Sequence, residues 1–238
     1  MSLAEAKSIW ALLKHNEFFM SVMLRHIQHV PPLGGFCGDM YAVQVVNHTP
    51  LYVRPSGGWF GGFATAIRQW HQPSWTVRGK IAVGLLEFIS EIYHHRSNGM
   101  VYICDASENS FGYTNSHDLM VTNLNALRPR RELELLLEHQ TCRSDMDCRY
   151  LNDCILRCDT NLNSCTADLV RPNLYRVCQL ISEYLKPSVP RAIRAEFYLL
   201  LDRCNNLNAT LPHSEMDHAL ISNDLRSLLW RYVSDYVS

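Results

Sequence analysis

The 238-residue sequence carries no surplus of charge: 22 lysines and arginines stand against 23 aspartates and glutamates, a formal net charge of -1. Such a balance lacks the basic footprint that draws proteins to nucleic acids or anionic membranes, so neither is an expected partner. No stretch approaches the roughly eighteen uninterrupted apolar residues of a membrane-spanning helix, and no span is predicted. The first residues show no basic region followed by an apolar run, so no signal peptide is predicted. Internal repeats, low-complexity runs and long linkers are also missing. What the chain does have is apolar matter. Hydrophobic residues make up 47% and charged residues 19%, which supports a real core and excludes wholesale disorder.

Cysteine is the first positive signal. Of nine cysteines, Cys142, Cys148, Cys154, Cys158, Cys165 and Cys178 crowd together, while Cys37, Cys104 and Cys204 are scattered. Such density points to disulfides formed in an oxidising compartment. The lack of a leader conflicts with that compartment unless the chain is a short form of a longer secretory protein. Zinc sites favour cysteine pairs two to four residues apart, and only Cys154 and Cys158 qualify, so a disulfide knot is expected. Six cysteines admit fifteen pairings, and spacing does not choose among them.

Periodicity and punctuation predict a mixed α+β order. Ser2 and Glu5 have capping-box spacing. Ile9, Leu12, Leu13, Phe19, Val22 and Met23 continue one helix towards His26, which Pro31-Pro32 stops. A strand end and turn over 33–39 and a strand over 40–46 predict a hairpin, closed by the breakers at 47–50. Residues 54–63 hold Gly57, Gly58, Gly61 and Gly62 around Trp59 and Phe60, without the spacing of a phosphate-binding loop. Ile81, Leu85, Phe88, Ile89 and Ile92 predict a helix over 77–94. Short strands are predicted over 100–104 and 120–124. Helices follow over 131–139, 173–185, 189–203 and 215–236, so most helix lies in the second half.

The order from the first helix onwards resembles a protein kinase from its αC helix on. The residues resemble one divergent branch, the divergent protein kinase domain 1 family, also called family with sequence similarity 69. The carrying segments are Ser2 to Leu13, Gly35-Phe36-Cys37-Gly38-Asp39-Met40-Tyr41, Pro73-Ser74-Trp75, Lys80 to Phe88, Cys104-Asp105, the cysteine cluster and Leu228-Leu229-Trp230. The resemblance implies a kinase-like fold that is mostly the helical large lobe. Residues 1–53 would be a remnant of the small lobe, with an αC-like helix and a hairpin after a truncated EF-hand-like loop. Residues 54–238 would be the large lobe, with a Cys-rich insert at 142–178 in the place of an activation segment. Cys37 and Cys104 would lie on neighbouring elements and could pair.

The resemblance also assigns roles. A kinase uses an aspartate to orient the substrate hydroxyl, an asparagine five residues later for magnesium, and a second magnesium-binding aspartate. Asp105 matches the first. Ser110 stands at the second position, with Asn109 one place off. Asn123 stands at the third, with Asp118 as a replacement donor. Glu17 is the candidate αC glutamate. Glu5 would be the twelfth position of a calcium loop whose other ligands lie upstream, and so a capping carboxylate here. No metal is expected in this chain. ATP and magnesium are expected only in a longer form that supplies the glycine-rich loop and lysine.

Asn208-Ala209-Thr210 is a glycosylation sequon, and Asn47-His48-Thr49 a second one weakened by Pro50. Arg128 to Arg131 reads as a solvated basic loop or a processing site, and His94-His95 as a solvated helix end. The expected function is that of a pseudokinase: a binding or regulatory module with an unidentified protein partner on the lumenal side of the endoplasmic reticulum, the location the resemblance implies. The rivals are an active lumenal kinase in a longer form and a Cys-rich interaction module.

Overall fold

The computed structural model describes residues 2–51, 73–94, 100–107, 110–209 and 214–234. The glycine-rich stretch, the 53/54 boundary, Asn109 and His95 lie outside the described residues.

Helix α1 (Leu3–Leu13) starts at the expected capping box: Glu5 N donates to Ser2 Oγ and Ser2 N to the Glu5 carboxylate. The continuous helix expected towards His26 is instead two. The chain breaks at His15, whose extended backbone starts α2 (Asn16–Met23). The break lets Asn16 face inward, where its Nδ2 donates to the carbonyls of Leu124 and Leu127 at 3.1 Å each.

The hairpin forms as expected from β1 (Leu33–Cys37) and β2 (Met40–Val43), shorter than predicted. Gly38, at φ 62°, makes its tight turn, a conformation that favours glycine. A short strand β3 (His48–Pro50) then joins a sheet whose order is β3-β5-β6, with β5 at Phe111–Thr114 and β6 at Leu119–Val121.

The longest apolar pattern becomes α3 (Trp75–His94). Its residues Ile81, Leu85, Phe88, Ile89 and Ile92 are all fully buried, as their spacing on one helix face predicts. The start of α3 is tied down by polar groups. Trp75 Nε1 donates to the Leu185 carbonyl, and the buried Arg78 guanidinium to that of Tyr184. Gly84 lets α3 approach β6: a Cβ there would stand 2.8 Å from Leu119 Cβ. Three further helices complete the main core: α5 (Asn173–Leu185), α6 (Arg194–Asn205) and α7 (Ser214–Ser234). The sixth begins later than the predicted 189, because Pro190 lacks an amide donor and the chain first turns so that Ile193 N reaches the Pro190 carbonyl. One apolar cluster runs from Met20 on α2 through α3 to Leu229 on α7.

Between these elements β4 (Val101–Ile103) pairs with β7 (Leu127–Pro129), which leads into α4 (Arg130–Leu137). The basic run 128–131 is therefore a strand end and a helix start rather than a loop. Arg130 pairs with Asp168, and Arg131 with Glu134. The Cys-rich segment is a small sheet of β8 (Arg149–Tyr150), β9 (Cys154–Asp159) and β10 (Ser164–Leu169), none of them expected. A second apolar cluster seats this sheet on α4 through Leu133, Leu137 and Leu156.

Eight cysteines form four disulfides: Cys104–Cys154, Cys142–Cys158, Cys148–Cys165 and Cys178–Cys204. All six clustered cysteines are bonded, but two of the bridges leave the cluster. The Cys37–Cys104 pair that the resemblance allowed does not form: Cys104 is bonded to Cys154, and Cys37 is free and exposed at the hairpin turn.

Candidate catalytic-loop site

Two antiparallel ladders bring the predicted site residues to one region. The first is β4–β7, prolonged by Cys104 N donating to the Ala126 carbonyl at 2.7 Å. The second is β5–β6, prolonged by Thr122 N donating to the Ser110 carbonyl at 3.0 Å. Asp105 follows the first extension, and Ser110 and Asn123 flank the second. Cys104 and Ser110 are thus each tied to the 122–126 segment by a ladder bond.

The side chains of Ser110 and Asn123 are turned to local work. Ser110 is 0% exposed. Its hydroxyl donates to the Asp105 carbonyl at 2.7 Å and meets Ser107 Oγ at 3.1 Å, and its amide donates to the Ser107 carbonyl. Ser110 therefore closes the loop that carries Asp105. Asn123 caps a short 3-10 turn over Leu124–Ala126, with Oδ1 accepting from Asn125 N at 3.0 Å. Asp105 is half-buried, and Asn152 Nδ2 stands 3.5 Å from its Oδ1.

Magnesium wants several hard, preferably anionic oxygens in octahedral array. Of the three positions, one offers a carboxylate. One offers a buried hydroxyl whose proton is committed to a backbone carbonyl, and one an amide oxygen that already serves as a cap. This donor set does not fit a kinase-type magnesium pair. Asp118 does not repair it. It lies on the far side of β6 from Asn123, about 16 Å away along an extended strand. There it pairs with Lys80 Nζ at 2.7 Å.

Glu17 sits on α2, half-buried, and its Oε2 accepts from the Tyr41 hydroxyl at 2.9 Å. Burial and this carboxylate together raise the Tyr41 pKa. Glu17 thus joins α2 to the hairpin, while neighbouring Asn16 joins α2 to the Asn123 turn. Glu5 is the capping-box carboxylate of α1. Asn208 is half-buried just beyond α6, and Asn47 is exposed.

Sequence reasoning missed the residues that hold the Asp105 loop from behind. Asp153 Oδ2 accepts from Ala106 N at 2.7 Å, the amide next to Asp105, and Asp153 N donates to the Cys104 carbonyl at 3.0 Å. Arg176, on α5, places NH1 3.3 Å from Asp153 Oδ1 and donates from NH2 to the Asp153 carbonyl. Asn173, at the start of α5, accepts from Ile103 N and donates to the Val101 carbonyl. The Cys104–Cys154 bridge adds a covalent tie between the residues preceding Asp105 and following Asp153. The available signal was adjacency: Asp153 precedes a cluster cysteine and Asp105 follows a scattered one.

The Cys-rich sheet is thereby fixed to the segment that carries Asp105. The family model for the protein-kinase domain of FAM69 matches residues 9–207, and the chain therefore belongs to the FAM69 family of kinase-like proteins.

Proposed function

We propose that this chain is a catalytically impaired kinase-like domain of the secretory pathway, a pseudokinase that acts as a binding or regulatory module in the lumen of the endoplasmic reticulum. The observation that carries the proposal is the buried Ser110 hydroxyl, donated to the backbone of Asp105 where a kinase presents a metal-ligating asparagine. The capping role of Asn123 supports it. Four disulfides suit an oxidising compartment, and family membership favours the lumen. Exposed Trp10 on α1 and Phe36 and Met40 on the hairpin support a binding role, since large apolar groups at a surface favour contact with another protein.

The test is a phosphotransfer assay on the disulfide-bonded chain, with magnesium-ATP and generic serine, threonine and tyrosine acceptors. No transfer above that of an Asp105→Ala variant is expected. Magnesium-dependent transfer that disappears in Asp105→Ala would sink the proposal.

A further inference from the structure

A cavity of about 410 Å3 opens on the side of the fold bounded by the end of α3, the start of β4, β10 and the first turns of α5 and α7. It does not include Asp105, Ser110 or Asn123. Its volume falls in the range of about 300–1,000 Å3 usual for small-molecule sites.

Much of the wall is apolar and aromatic. Ile92 and Leu169 are buried in it, and Met100 stands partly exposed at its rim. Tyr93 stacks on His218 with ring centroids 4.7 Å apart and planes 19° from parallel, a rigid aromatic wall. Tyr102 is spoken for, its hydroxyl donating to the Ala167 carbonyl.

The charged groups are distinguished by their partners. Asp168 is held by Arg130 at 2.8 Å. Glu215 is exposed in the first turn of α7, where the helix amides favour a carboxylate. Arg157 differs. Its side chain is half-buried, and its Nε is buried with no hydrogen-bond partner. Arg78, Arg128 and Arg176 also leave one buried nitrogen unpaired, but each engages a partner through another. Among the described residues, no such engagement holds the Arg157 guanidinium. Its terminal nitrogens are not buried and engage no partner among the described residues, so they are the donors left for an anion in the cavity that Arg157 lines.

We infer that this cavity is a binding site for a small amphipathic anion: an aromatic or aliphatic body against the Tyr93–His218 stack, Ile92 and Leu169, with a carboxylate, sulfonate or phosphate on Arg157. The site is independent of the pseudokinase reading and stands whether or not the catalytic loop is active.

The test uses two probes with the same aromatic body on the disulfide-bonded chain, anionic 1-anilinonaphthalene-8-sulfonate and neutral N-phenyl-1-naphthylamine. Fluorescence titration is expected to show one saturable site for the anion. Arg157→Gln should weaken the anion about ten-fold or more and leave the neutral probe unchanged. Ala209→Trp, which fills the cavity from its wall, should abolish both while the circular dichroism spectrum is retained. Unsaturable binding, or anion affinity unchanged in folded Arg157→Gln or Ala209→Trp, would overturn the inference by putting the probe on the exposed apolar surface instead.

Discussion

Replacing Ser110 by asparagine, the residue a kinase uses at that place, is expected to destabilise the fold rather than build a metal site. Ser110 is fully buried, and its hydroxyl closes the loop onto the Asp105 carbonyl. Loss of that bond removes about 1 kcal/mol. Two additional heavy atoms must then enter a packed position, which adds about 1–3 kcal/mol. The expected loss is about 2–4 kcal/mol. Ser110→Ala, which removes the bond without adding volume, should lose only about 1 kcal/mol. Asn123→Asp retains an oxygen able to cap Asn125 N, so it should shift stability by no more than about 0.5 kcal/mol. Guanidinium denaturation followed by circular dichroism, with disulfides intact and a shared m-value, reads all three. A neutral Ser110→Asn would refute the reasoning, because it would mean that the position opens into free space and could serve as a ligand.

Further predictions concern the surrounding frame. Alkylation without reduction should label Cys37 alone, and non-reducing digestion should recover Cys104–Cys154, Cys142–Cys158, Cys148–Cys165 and Cys178–Cys204; a second labelled cysteine would contradict the pairing. Asp153→Ala, which strips the Ala106 amide and Arg176 of their shared carboxylate, should lose about 2–3 kcal/mol and speed hydrogen exchange at Ala106; unchanged exchange would contradict the tie. Burial pushes the Tyr102 pKa up to about 12, from 10.0. Its neutral form therefore stabilises the fold fully below pH 10, and that stability is lost as pH rises through 12. Roughly 2–3 kcal/mol should disappear across this window, read by denaturation at stepped alkaline pH against Tyr102→Phe, which should lose less.

The sequence made the helices legible where an apolar face was long. Ile81 to Ile92 placed α3, and 173–185 placed α5 at its observed bounds. The break at His15 was not legible, because no glycine or proline marks it. It is set by a tertiary contact, Asn16 reaching carbonyls more than a hundred residues away. The β9 strand carries a period-two burial pattern. Cys154, Leu156 and Cys158 are buried while Ile155, Arg157 and Asp159 are half-buried on the other face. The short strands that run up to Asp105 and Asn123 could be read from the chain. That Ser110 and Asn123 serve the backbone could not, since a hydroxyl or amide has many partners and only the fold selects one. Cys204 looked isolated because its partner, Cys178, lies on the neighbouring helix rather than nearby in sequence.

The segment holding Asp105 is tied by its own backbone and by the Cys-rich sheet, and the proposed pseudokinase reading requires that it form no kinase-type magnesium-nucleotide site. Calorimetric titration of magnesium-ATP into the disulfide-bonded chain tests it most directly. No saturable heat is predicted, with or without magnesium. A saturable, magnesium-dependent isotherm of one equivalent, lost in Asp105→Ala, would contradict the account.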